Sequence, residues 1–204
     1  MRICFISLFL FLCLTIIANE PVKVKKQGYE IGGFGGFGLN YTEISSCESL
    51  GATIQGGVIL NHWLAGGIQA NTFFSINPLK DKLTDQDANM LGVYGGLFAS
   101  PIVYSNSLVH FTVPIFVGYG GLYYELYDLT NSVSQIEDSD QFWVFEPGIE
   151  LEINILRFLR LAVGGYYRCS SKIKLAYKNG SDPILPDNVL NGFSVGVKLR
   201  FGKF

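Results

Sequence analysis

Seven ionisable side chains in the last third of this sequence stand at alternate positions within apolar runs: Glu146, Glu150 and Glu152, then Arg160 and Arg168, then Lys198 and Arg200. Carboxylates set among guanidinium and ammonium groups can do two kinds of chemistry. Paired, they form an ion-pair network; left among apolar neighbours, a carboxylate holds its proton and becomes a relay or a general acid. Pairing is the expected arrangement, because an unpaired charge out of water is costly. Other chemistry is thinly supplied. Nucleophilic hydrolysis needs a Ser–His pair with an acidic orienter, and the only histidines are His62 and His110. Two histidines without a Cys-x-x-Cys motif do not suggest a transition-metal site, and no cofactor is implied. The run Gly32-Gly33-Phe34-Gly35-Gly36 has the glycines of a phosphate loop, but no GK[ST] ending and no helix signal after it. Cys47 and Cys169 are far apart, and spacing leaves open whether they pair.

The elements that must position the charged residues read as β-strands. Along Phe193–Phe201, Phe193, Val195, Val197, Leu199 and Phe201 point one way and Ser194, Gly196, Lys198 and Arg200 the other. Ile149, Leu151, Ile153 and Ile155 oppose Glu146, Glu150, Glu152 and Asn154 in the same manner, and Leu159, Leu161, Val163 and Tyr167 oppose Arg160, Arg168 and Lys172. The same alternation predicts eight strands: Tyr29–Leu39, Leu50–Leu60, Trp63–Phe74, Met90–Pro101, Leu108–Leu126, Phe142–Ile155, Leu159–Lys174 and Phe193–Phe201. Long polar stretches alternate with short turns between them, the pattern of an up-and-down antiparallel meander. The expected long loops are Thr42–Ser49, Ser75–Asn89, Tyr127–Asp140 and Leu175–Leu190; together they carry a net charge of −8. Glu137, Asp138 and Asp140 could there bridge divalent cations, or only keep the rim solvated. The closing strand must find a partner on both edges, and pairing with the first strand closes a barrel.

Charge distribution decides which face looks outward. Neither 49–79 nor 88–124 contains a single Asp, Glu, Lys or Arg. A water-exposed wall of such strands would aggregate, whereas a wall in lipid requires this composition. The charged faces of the later strands then look into the lumen, where Phe34, Tyr94, Phe116, Tyr124 and the ion cluster fill the interior. Trp63 and Phe158 at the short-turn end, with Tyr41, Phe74, Tyr123, Trp143 and Tyr177 at the other, suit interfacial girdles. The start of the chain reads as an export signal: Arg2, an apolar stretch to Ile17, then Ala18 as a cleavage residue before Asn19-Glu20-Pro21. The expected division is a signal peptide over 1–18, a short tail over 19–28 and a membrane barrel domain over 29–204. The formal net charge of −2 gives no basic excess for nucleic acid.

A leader, eight alternating strands, long and short connections and the aromatic-ended Phe193–Phe201 strand together resemble the small outer-membrane β-barrel proteins of the OmpA/OmpX-like superfamily, in the form found among Bacteroidota. The resemblance implies an all-β, eight-stranded transmembrane barrel in the outer membrane of a Gram-negative bacterium. It implies as partners outer-membrane lipid, lipopolysaccharide and the barrel-assembly machinery, with an extracellular ligand at the loops and a monomeric state. It also implies that Phe193, Val195, Val197, Leu199 and Phe201 form the assembly signal; Phe204 lies out of phase with them, and which phenylalanine ends the signal stays open. The role implied is structural or surface-interacting rather than enzymatic. A narrow porin-like channel is the alternative, and a lipid A-modifying enzyme a further one. Against the enzyme, both histidines map to the short-turn end.

Overall fold

The computed structural model describes residues 30–45, 47–80, 87–105, 107–128, 133–177 and 183–204. The expected signal peptide and tail, 1–18 and 19–28, lie outside them. The strands are β1 (Ile31–Ile44), β2 (Cys47–Leu60), β3 (Leu64–Ser75), β4 (Leu79–Lys80), β5 (Asp87–Val103), β6 (Val109–Thr112), β7 (Ile115–Asp128), β8 (Val133–Leu156), β9 (Leu159–Ser170) and β10 (Gly192–Lys203). The two-residue β4 is a rim extension on β5. β6 and β7 are two parts of one wall strand, so the wall is a ring of eight. Every neighbour in it is antiparallel, and β10 closes on β1 from Gly33↔Lys203 to Thr42↔Ser194. Closure leaves no open sheet edge within the wall.

Pro114 explains the break in the fifth wall strand. Proline has no N–H for the ladder, so pairing lapses at Val113–Pro114. The Val113 amide donates to the Pro101 carbonyl (3.1 Å) and the Pro114 carbonyl accepts from Gly148 (2.8 Å), which carries the strand across the gap. In the turn between β2 and β3, Asn61 and His62 both adopt positive φ, 49° and 61°, as primed hairpin turns require.

Two of the four expected long loops are instead strand. Thr42–Ser49 forms the end of the β1–β2 hairpin, paired out to Ile44↔Cys47. Tyr127–Asp140 is the β7–β8 hairpin, paired out to Asp128↔Val133 with a register shift at Tyr124/Glu125. Polar sequence there marks water on both faces rather than loss of strand. The fourth, Leu175–Leu190, belongs to an irregular stretch whose described residues, 171–177 and 183–191, turn inward: Ile173, Leu175, Ile184, Val189 and Leu190 are buried in one cluster with Ile44, Met90, Tyr124 and Phe142. It plugs the loop-side mouth.

The outer surface of the wall is apolar. Ile54, Ile68 and Leu97 are each about two-thirds exposed (66%, 67% and 67%), and Phe37, Leu39, Val93, Val117, Ile149, Val163 and Val195 are exposed beside them. Glu43 and Glu48 stand at the loop-side rim and Arg157 and Lys203 at the other, so exposed charge brackets the apolar belt. An apolar outside around a polar inside is the inverse of a water-soluble barrel and matches a hydrocarbon solvent.

Candidate functional site

The lumen is where the chemistry-bearing residues converge. β8 brings in Glu146, Glu150 and Glu152, β9 Arg160 and Arg168, and β10 Lys198 and Arg200, and all seven are buried. They point inward because each strand places its even-numbered residues on that face. Glu150, with no exposed surface, is the hub. It accepts hydrogen bonds from Lys198 Nζ (2.8 Å), Arg200 (2.7 Å), the Tyr166 hydroxyl (2.7 Å) and the Thr112 hydroxyl (3.0 Å). Glu152 pairs with Arg200 through one oxygen; the other lies 2.8 Å from His110 Nε2 and 3.5 Å from Arg160. Glu146 pairs with Arg168 (3.2 Å) and accepts from the Tyr94 hydroxyl (3.2 Å). Lys172 is instead at the solvated rim, 3.5 Å from Asp187.

Glycine makes room for these side chains. A Cβ at Gly38 would stand 2.6 Å from Lys198 Cγ, and one at Gly164 would stand 2.7 Å from Glu150 Cγ. The glycine-rich β1 therefore approaches the charged side chains of β10 closely; it is a wall strand, with no helix after it. Around the ions, Tyr94 contacts Phe73, Phe116 and Phe142 at centroid distances of 6.3, 5.8 and 5.9 Å. Phe34 meets Phe98 at 6.1 Å near the short-turn end. Phe34, Tyr94, Phe116 and Tyr124 are all buried in the lumen.

Several partners were not singled out by sequence. His110 and Thr112 belong to the network, and their signal was alternation with Val109 and Phe111 on a strand of otherwise uncharged residues. Thr53, Gln55, Gln69 and Asn71 form a buried polar patch on β2 and β3; Thr53 donates to Asn71 (2.8 Å) and accepts from Asn40 (2.7 Å). His62 is elsewhere, in the β2–β3 turn, 2.6 Å from Glu30. Cys47 and Cys169 are free thiols. Asp138 and Asp140 accept the amide N–H groups of Ala176 (2.8 Å) and Lys174 (2.6 Å), so they pin the plug segment to the β8 rim.

On the closing strand, Phe193, Val195, Val197 and Phe201 face outward, with Leu199 half-buried on the same side. Phe193 packs on Tyr167 (4.7 Å) and Phe201 stacks on Phe37 (6.2 Å). Phe204, out of phase with this outward group, turns inward. Its ring lies 4.1 Å from the Arg160 guanidinium and 6.3 Å from Phe34. Its even position gives it the parity of Lys198 and Arg200. Trp63, Phe158, Tyr41, Phe74, Tyr123 and Trp143 are exposed, as girdle residues would be, whereas Tyr177 packs against the interior cluster.

A closed eight-stranded antiparallel wall, apolar outside and filled with paired charge inside, defines the fold of the small outer-membrane β-barrels. No family model matches the chain, and no curated protein does. Among solved structures the chain is similar to Neisserial surface protein A, NspA, at 12% identity and a TM-score of 0.53, over 87% of this chain and 100% of that one. It also matches Ail, the attachment invasion locus protein of Yersinia pestis, at 12% identity and a TM-score of 0.44, over 84% of this chain and 98% of that one. A third match is the N-terminal β-barrel domain of Pseudomonas aeruginosa OprF, at 11% identity and a TM-score of 0.40, over 86% and 99%. At 12% identity the likeness to NspA is one of fold.

Proposed function

We propose that this chain is a monomeric barrel of a Gram-negative outer membrane, with a structural or surface-interaction role and no catalytic one. The observation that carries this reading is the pairing of an apolar outer belt with a lumen filled by ion pairs and aromatic rings and plugged by 171–177 and 183–191. Such a barrel has lipid and lipopolysaccharide around it and offers a partner only its rim, chiefly the β1–β2 and β7–β8 hairpins. The seven-residue charged network serves to fill and fix the lumen. The outward face Phe193, Val195, Val197, Leu199 and Phe201 serves as the signal for barrel assembly, with Phe201 as its terminal aromatic. The Bacteroidota-type form rests on the sequence pattern alone. A hydrolase gains no support, since His110 is buried against Glu152 and His62 lies in a short turn beside Glu30.

The narrow channel is kept as a second reading because the Gln55 amide and Asn71 Nδ2 are buried without a protein partner among the described residues, on the uncharged side of the lumen. Water in single file could satisfy them. Two measurements separate the readings. Membrane fractionation with heated and unheated gel lanes should place the protein in the outer membrane as a heat-modifiable species. Planar-bilayer recording should then give no steady conductance; a steady single-channel level would favour the channel, and a soluble, non-modifiable product would end both.

A further inference from the structure

The charges in the lumen do not balance. Among the described residues, the buried charged set is three carboxylates, Glu146, Glu150 and Glu152, against four cations, Arg160, Arg168, Lys198 and Arg200. Glu146 and Arg168 neutralise each other, so the excess falls on the group toward the short-turn end. There Glu150 serves Lys198 and Arg200, and Glu152 serves Arg200 and also faces His110 and Arg160. Arg160 is the under-neutralised cation. Its one carboxylate contact is shared and long, at 3.5 Å, and its other neighbour is the Phe204 ring at 4.1 Å. An excess positive charge out of water is expensive unless something pairs with it.

A small cavity of about 10 Å³ lies among these groups, lined by Ser100, Thr112, Glu152, Arg160, Arg200 and Phe204 with apolar neighbours. Three donors of its lining are buried and without a protein partner among the described residues: Arg160 Nε, Arg200 Nε and the Ser100 hydroxyl. The Thr112 hydroxyl is already committed to Glu150. The volume matches a single water-sized guest. The two guanidinium N–H groups can only donate and the Ser100 hydroxyl can join them, and beside an excess positive charge an acceptor that carries negative charge answers them better than neutral water.

We propose that this cavity binds one small monovalent anion of halide size, held by Arg160, Arg200 and Ser100. Chloride is the natural occupant by abundance, and among the abundant halides it is nearest in size to the space. Glu152 lines the same cavity, and its charge is offset by Arg200 and Arg160, so the anion meets a site of net positive sign. The proposal stands apart from any surface role, because it concerns only the interior.

The test uses the full mature barrel refolded in detergent. Its thermal midpoint is measured in sodium chloride, sodium bromide and sodium gluconate at equal ionic strength and pH. The halides should raise the midpoint saturably, by about 5 °C, while gluconate, too large for the cavity, should not. Crystals grown in bromide should show an anomalous peak between Arg160 and Arg200. Arg160→Met should abolish the halide response. If that variant does not fold, Ser100→Ala, which leaves every charge in place, should raise the half-saturating halide concentration about tenfold. Equal midpoints in halide and gluconate, a linear unsaturated drift, or density for water alone in the bromide crystals would overturn the proposal.

Discussion

Replacing Glu150 by glutamine tests whether ion pairing holds the lumen together. The substitution keeps the side chain's shape and removes its charge. Glu150 is fully buried and takes four hydrogen bonds, two of them from Lys198 and Arg200. Breaking a buried pair by removing one partner costs about 3–5 kcal/mol, since the other charge is left stranded. Here Lys198 loses its carboxylate partner and Arg200 keeps only Glu152, so the upper part of that range is expected. With an m-value of about 3 kcal/mol/M in urea, the midpoint of unfolding should fall by about 1.3–1.7 M. The assay is urea titration of the barrel in lipid vesicles, followed by gel mobility without heating. Replacing Glu150, Lys198 and Arg200 together by Leu, Met and Leu should cost far less than Glu150→Gln alone, because apolar groups of similar volume leave no charge unpaired. A loss below about 1 kcal/mol for Glu150→Gln would refute the pairing logic, as would a triple variant worse than the single.

Three further outcomes are expected. Gly38→Ala should impair barrel formation, since its Cβ would press on Lys198 Cγ and the Val197 carbonyl at 2.6 and 2.7 Å. Gly35→Ala faces outward with its nearest neighbour at 3.9 Å and should fold normally, which unheated gels of both variants will read. Leu175→Asp buries a charge in the plug; it should expel the segment and make 171–191 sensitive to added protease on intact cells, where the parent protein resists. Trp63 in the β2–β3 turn and Trp143 on β8, 49% and 62% exposed, should be quenched by lipids brominated along their acyl chains; unchanged fluorescence would mean that the apolar belt does not meet hydrocarbon.

Much of the wall was legible because a lipid-facing strand alternates so plainly. Glu150 and Glu152 against Ile149 and Leu151, or Lys198 and Arg200 against Val197 and Leu199, have one reasonable orientation once the outside is apolar. Where that contrast fades, the sequence became ambiguous. Above the membrane both faces of a strand touch water, so Thr42–Ser49 and Tyr127–Asp140 lose their period while keeping their ladder. The plug was misread for the opposite reason: Leu175, Ile184, Leu185, Val189 and Leu190 are too apolar for a solvated loop, and their number was the available signal, while Ile173, expected on the strand to Lys174, lies beyond its end at Ser170. His110 was judged by the chemistry of histidine rather than by its parity with Thr112, and parity placed it in the network. The pairing partners themselves depend on barrel stagger, which no local pattern encodes.

The inward-turned stretches 171–177 and 183–191 also bear on how this surface could be engineered or seen by an immune system. A foreign peptide spliced at the tip between Ile44 and Cys47 would extend a hairpin that already stands in water. The same graft beside Val189 or Leu190 would have to drag apolar side chains out of the mouth. Sera raised against intact cells should therefore favour the two hairpin tips, and antibodies to a linear 184–190 peptide should bind mainly the denatured chain.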